Sequence, residues 1–149
     1  MSEAPEYTAF LSRPHRITWG ECDPAGIVFA PRYFDMFAEN AVLLFEHAGL
    51  PPKRQMLKEL GVIGFPAVDM SARFLGPTSY GDDVLVETAA PDFGNSSFTL
   101  HHRLTHQGRI CVECTEKRVW TVPHPDKPGA MKAARIPDDI RALFLKAPA

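Results

Sequence analysis

The chain has 149 residues, 45% apolar and 23% charged, with 16 Lys and Arg against 18 Asp and Glu. That length and apolar share suit one packed domain and exclude a disordered chain, while a net charge of -2 gives no basic field for capturing nucleic acid. An odd count of three cysteines, an acidic start (Glu3, Glu6) where a leader would be cationic, and no apolar run near the ~18 residues of a membrane span predict a cytoplasmic protein with reduced thiols.

Residues 1–14 lack periodicity and read as an N-terminal arm. From His15 to Gly20, Ile17 and Trp19 alternate with Arg16 and Thr18, the period of two of a half-buried strand that delivers the chain to a turn at Asp23. From Pro31 to Ala48, apolar Tyr33, Phe37, Ala41, Leu44 and Ala48 recur at spacings of three and four, with Phe34 and Phe45 widening the stripe. This predicts one amphipathic helix of about 27 Å, opened by Pro31 and stopped by Gly49, Pro51 and Pro52. A short helix over Lys53–Leu60 ends at Gly61. Val68–Leu75, Asp83–Ala90, Ser97–His106 and Arg109–Val122 read as strands, broken at Gly76-Pro77, Gly81-Asp82, Gly94-Asn95 and Gln107-Gly108, the last resembling a tight hairpin. Residues 124–134 form a Pro/Gly/Lys loop, and Pro137–Leu145 a short terminal helix begun by Asp138 and Asp139.

One long helix followed by consecutive antiparallel strands predicts an α+β arrangement, the helix lying across one face of a curved sheet. The absence of β-α-β alternation argues against a parallel nucleotide-binding sheet. A small sheet leaves open edges, and pairing with a second copy is the expected cover.

The stretch Trp19–Tyr33 carries the chemistry. It places Asp23 in a turn and then opens the long helix, whose unpaired N–H groups and partial positive charge polarise a docked carbonyl. Asp23 is then free to attack or to activate water, while the alternative is a turn former or helix cap. Gly26 permits either a backbone conformation closed to other residues or close approach of a substrate, a plain turn glycine being the alternative. Phe29, just before the helix, is the best candidate for a pocket wall. Cys111 and Cys114 form a C-x-x-C, but residues three apart on a strand face opposite ways and no second pair completes a zinc set. Cys22 has no cationic partner nearby and reads as a packed thiol. His102 and His106 would stand about 13 Å apart on a strand, too far to share an ion, so both read as strand-surface residues with His101. No metal or redox cofactor is expected.

The run Gly20-Glu21-Cys22-Asp23-Pro24-Ala25-Gly26-Ile27-Val28-Phe29 resembles the active-site segment of hotdog-fold acyl-CoA thioesterases of the 4-hydroxybenzoyl-CoA thioesterase type, and of the Tol-Pal-associated acyl-CoA thioesterases. The likeness continues through Tyr33, Gly49-Leu50-Pro51-Pro52, Gly61-Val62-Ile63-Gly64 and the run from Ser79 to Thr88, covering roughly Arg16 to Val122. It implies a single hotdog domain, an antiparallel sheet wrapped around the long helix, paired edge to edge as a homodimer or homotetramer with active sites between protomers. It further implies an acyl-CoA substrate, Asp23 as nucleophile or general base, and a backbone N–H near Ala30 as the oxyanion donor. Two departures bear on specificity: an acidic side chain that meets the ring hydroxyl in the 4-hydroxybenzoyl-specific enzyme is matched by Ala38, and its basic phosphate-binding run by Gly94-Asn95-Ser96. The expected function is hydrolysis of an acyl-CoA, of benzoyl or hydroxybenzoyl type, to acid and free CoA; the alternative is a non-catalytic acyl-CoA binding or scaffold protein.

Overall fold

A computed structural model describes residues 6–145. Strand β1 (Ala9–Arg16) is followed by a single 3-10 turn (Trp19–Glu21), helix α1 (Ala30–His47) and helix α2 (Lys53–Leu60). Then come β2 (Ala67–Phe74), β3 (Asp83–Ala89), the two-residue β4 (Asp92–Phe93), β5 (Ser97–His106), β6 (Arg109–Val119), β7 (Thr121–Pro123), β8 (Met131–Ala133) and helix α3 (Asp138–Ala142). The main sheet is antiparallel in the order β1-β3-β5-β6-β2, with β4 added alongside β5, while β7 and β8 pair separately.

Helix α1 buries Tyr33, Met36, Phe37, Asn40, Ala41, Leu44 and Phe45, a stripe at spacings of three and four that faces the sheet. Two clusters form beneath it. Around its first half lie Ile17, Val28, Tyr33, Phe37, Val84, Val86, Leu104 and Val112; around its second half, Phe45 meets Phe65, Phe98 and Phe144 at ring distances of 4.6 to 5.4 Å.

A polar chain crosses the core between helix and sheet. Arg13 Nε donates to Asn40 Oδ1 (2.8 Å) and its Nη2 to the Met36 carbonyl (3.2 Å), tying β1 to α1. Asn40 Nδ2 donates to the Val86 carbonyl and to Thr88 Oγ1, both at 3.0 Å. Thr88 Oγ1 lies 2.7 Å from His102 Nδ1, and His102 Nε2 lies 2.8 Å from Glu116 Oε1, with Arg118 Nε 3.1 Å from the other carboxylate oxygen. One polarity satisfies the hydrogen bonds from Asn40 to Glu116 Oε1, while Glu116 Oε2 and Arg118 Nε face each other only as an ion-pair contact, without hydrogen-bond geometry. With its lone pair already facing Asn40, Thr88 donates to Nδ1 of a neutral His102, which donates from Nε2 to the Glu116 anion.

Several expectations are corrected. Strand structure begins at Ala9, so the segment read as an arm is strand from there to Pro14, while residues 1–5 lie outside the described ones. The strand expected over His15–Gly20 ends at Arg16, and Trp19, expected on the face of buried Ile17, is 72% exposed in the 3-10 turn. The strand expected to reach Val122 breaks after Val119, and residues 124–134, expected as loop, contain β8. His102 is not a surface residue, since its side chain is wholly buried and stacked on Phe37. Cys111 and Cys114 do not face opposite ways. A bulge falls at Cys111, where Leu104 pairs with Val112 but Thr105 with Ile110, and both thiols are buried.

The Gln107-Gly108 hairpin matches expectation. Both residues have positive φ, 52° and 76°, the twist that a two-residue turn between right-twisted strands requires.

Candidate active site

Ile17 closes β1 with reciprocal backbone bonds to the 81–82 turn, its N–H donating to the Asp82 carbonyl and its own carbonyl accepting from Gly81 N–H, both at 2.9 Å. After the 3-10 turn, Cys22 and Val28 form an antiparallel bridge around a tight loop. Within it Asp23 N–H donates to the Ile27 carbonyl, Gly26 N–H to the Asp23 carbonyl (each 2.9 Å), and Ala25 N–H to Asp23 Oδ1 (2.8 Å). This is the local turn that an Asp side chain favours. The other carboxylate oxygen, Oδ2, has no hydrogen-bond partner among the described residues. Gly26 sits at φ +83°, a left-handed conformation that glycine adopts without cost.

A second turn braces the first. Val28 N–H donates to the Thr78 carbonyl (2.9 Å), Tyr80 N–H to the Gly26 carbonyl (3.3 Å), and Ile27 bridges Ser79. Thr78 Oγ1 meets the buried Tyr33 hydroxyl at 2.7 Å, and burial pushes that phenol above its ordinary range.

Helix α1 starts one residue after Phe29, whose side chain makes no cap. Pro31 has no N–H, Arg32 N–H turns back to the Phe29 carbonyl (2.8 Å), and no acceptor among the described residues takes the Ala30 N–H. The helix thus presents one open donor at its positive end, close in sequence to a half-buried carboxylate. Phe29 is 50% exposed at the same junction, and Trp19 and Tyr80 form an exposed edge-to-face pair on the flanking turns.

Asp23, Gly26, Phe29 and Ala30 therefore share one loop and helix start. Glu21 and His15 were not singled out from the sequence. His15 Nε2 lies 2.9 and 3.0 Å from the two oxygens of Glu21, whose Oε1 also accepts from Thr18 N–H (2.8 Å) and Thr18 Oγ1 (2.9 Å). Partial burial works against this anion, but the Thr18 and His15 bonds outweigh it and hold the carboxyl below its ordinary range. The Thr18-x-x-Glu21 spacing of a capping box was the available signal.

Cys22, half-buried, donates its thiol to the Thr18 carbonyl at 3.5 Å. Burial, with Glu116 nearby, pushes the Cys114 thiol up to about 12. Among the described residues, no three His, Cys, Asp or Glu side chains gather as a metal site. Ala38 is half-buried on α1, and the Gly94-Asn95-Ser96 turn is held by Arg141 of α3, which donates to the Gly94 and Asn95 carbonyls.

A long helix embraced by this antiparallel sheet is the α+β hotdog fold. Residues 17–144 match the Thioesterase-like superfamily, and the chain belongs to it. It is 32% identical over 138 residues to the 4-hydroxybenzoyl-CoA thioesterase of Pseudomonas sp. (strain CBS-3), covering 89% of this chain and 96% of that one. The solved structure of that enzyme superposes with a TM-score of 0.80 at 31% identity, covering 89% of this chain and 97% of that one. An Asp→Asn variant of 4-hydroxybenzoyl-CoA thioesterase complexed with 4-hydroxybenzoyl-CoA gives 0.81 at 30% identity, over 90% and 97% of the two chains. A gentisyl-coenzyme A thioesterase gives 0.76 at 29% identity, over 91% and 100%.

Proposed function

We propose that this chain is an acyl-CoA thioesterase for aromatic acyl groups, in which Asp23 drives hydrolysis and the Ala30 N–H polarises the thioester carbonyl. The observation that carries this reading is the half-buried carboxylate with one unpartnered oxygen, set in a glycine turn just before an uncapped helix start. Relatives at about 30% identity are named for aromatic CoA thioesters, and one of them was captured with its substrate as an Asp→Asn variant.

The thioester carbonyl lodges at the Ala30 amide, which stabilises charge developing on its oxygen. In one route Asp23 attacks the carbonyl carbon, the C–S bond breaks to release CoA thiolate, and water hydrolyses the resulting mixed anhydride. In the other, Asp23 takes a proton from the attacking water and no covalent intermediate forms. Gly26 keeps the turn free of a side chain, and Phe29 gives the acyl ring an apolar wall. No cofactor enters either route, CoA being part of the substrate.

A second copy completes the site. Among the described residues strand β2 is bonded only to β6, leaving its other edge unpaired with Val68 and Phe74 59% and 52% exposed, the kind of edge that a matching strand covers. Antiparallel pairing of two β2 strands gives the homodimer, and further packing of dimers a homotetramer.

The test is free-thiol release from benzoyl-CoA and hydroxybenzoyl-CoA. Asp23→Asn preserves the turn and should lower kcat by about 10³-fold or more, and a wild-type rate in a folded variant refutes the reading. In single-turnover hydrolysis in heavy-oxygen water, label in Asp23 establishes the first route, with water attacking the Asp carbonyl of the anhydride. Label in the product acid alone fits attack on the acyl carbon in either route, and rapid-quench detection of an acylated, CoA-free protein then separates the two.

A further inference from the structure

We infer that Glu21, held by His15, is the positioning residue of the reaction turn, fixing the Asp23 carboxylate relative to the first amide of α1; this rests on the Asp23 reading above. Glu21 is bonded on every side. Its Oε1 accepts from the Thr18 N–H, the Thr18 hydroxyl and His15 Nε2, and its Oε2 lies 3.0 Å from the same His15 nitrogen. Its N–H donates to the Thr18 carbonyl at 3.1 Å, and its own carbonyl accepts from Phe29 N–H at 2.9 Å.

Those contacts reach three separate parts of the site. His15 belongs to β1 and sits in register with Val84 of β3, so it is anchored in the sheet. Thr18 belongs to the chain entering the reaction turn, and Asp23 follows Glu21 by two residues. Phe29 immediately precedes Ala30. One side chain and one peptide group therefore join the sheet, the carboxylate turn and the residue before the open helix amide, and among the described residues no other one bonded around the turn reaches all three.

The surroundings separate this pair from the ordinary surface ion pairs of the chain. The His15 and Glu21 side chains are 22% and 19% exposed, whereas both partners of Arg16–Asp83 are 73% exposed. Freely exposed pairs contribute little, whereas a carboxylate enclosed with four polar contacts fixes geometry. Those contacts draw the carboxylate toward Thr18 and β1, so Glu21 acts through Asp23 and is not itself a catalytic residue. A displacement near 1 Å at a reacting group costs about 10²-fold in rate, and the loss falls mainly on kcat because truncating the side chain leaves in place the Glu21 carbonyl, which holds the Phe29 N–H beside the acyl wall.

The experiment uses the full-length protein and an aromatic acyl-CoA whose thiol release is abolished by Asp23→Asn. Glu21→Ala should lower kcat about 10- to 100-fold, with KM changed less than about threefold. Glu21→Gln keeps an acceptor oxygen for both Thr18 donors and should restore kcat to within about fivefold of wild type. His15→Asn should lower kcat by roughly 3- to 10-fold alone, yet add little on top of Glu21→Ala, because the two act as one unit.

The inference is overturned if Glu21→Ala keeps kcat within about twofold of wild type while Asp23→Asn is dead. Equal losses in Glu21→Ala and Glu21→Gln would also overturn it, since they assign the Glu21 charge directly to the chemistry. Should Glu21→Ala fail to fold, His15→Asn decides: a folded variant at the wild-type rate refutes the inference. If Asp23→Asn hydrolyses normally, the thioesterase reading of the turn fails first and this inference falls with it.

Discussion

Replacing Glu116 with Gln tests whether the polar chain through the core behaves as a charged network. Glu116 and His102 have no exposed side-chain surface and Arg118 has only 13%. Gln keeps Oε1 as an acceptor for His102 Nε2–H, but its amide nitrogen then stands opposite Arg118 Nε, donor against donor across the 3.1 Å now occupied by the ion pair. Leaving a buried charge unpaired costs about 3–5 kcal/mol. Arg118 keeps a second anchor, its Nη1 donating to the Phe65 carbonyl at 2.7 Å, and a little solvent, which places the cost near the lower end, about 3 kcal/mol. At about 2–4 °C per kcal/mol for a chain of this size, Tm should drop by about 6–12 °C. Urea unfolding followed by near-UV circular dichroism, run on the single variant and in an Arg118→Met background, gives the measurement. With the arginine gone, the same exchange should cost at least about 1 kcal/mol less. A loss below about 1 kcal/mol in the wild-type background, or identical losses in both, would refute the reasoning.

Two further outcomes follow from the same geometry. Burial, reinforced by Arg118 and opposed by Glu116, holds the His102 imidazole below the ordinary histidine range, so it is neutral in the fold. Its contribution to stability is therefore complete above the unfolded value of about 6.5 and is lost as pH falls through the lower folded value. Unfolding free energies compared at about pH 7.5 and about pH 5.5 should fall more steeply for wild type than for His102→Gln, and equal slopes would contradict the assignment. At the β2 edge proposed as the dimer seam, Val68→Lys with Ser71→Lys sets like charges across the proposed antiparallel pairing and should yield monomers in sedimentation velocity; a dimer that persists in this variant would place the interface elsewhere.

What the sequence made legible follows the periodicity of its elements. Helix α1, α2 with Gly61 beyond it, and β5 at its full extent were readable because their apolar spacing and breakers agree. Strand β1 was hidden by Pro14, which reads as a breaker. Yet β1 is the edge of the sheet, where a missing N–H is tolerated. His102 was misplaced by residue type alone, since Phe98, Leu100 and Leu104 share its parity along β5 and all are buried. The C-x-x-C reading failed because strict alternation does not survive a bulge. At the candidate site, Asp23, Gly26, Phe29 and Ala30 were accessible as neighbours in one short run. The His15–Glu21 contact was not, because it depends on how the 3-10 turn folds back on β1.

The extra residue at Cys111 reaches beyond its own strand. Its carbonyl takes both the Leu75 and Gly76 amides, at 2.8 and 3.1 Å, just where β2 stops. That carbonyl ends the β2 ladder, and the 77–82 segment that follows is laced to the Asp23 loop through the Val28 and Tyr80 amides. A small irregularity on an interior strand is thus the spacer that meters where the free rim ends and where the acid-bearing loop comes to rest.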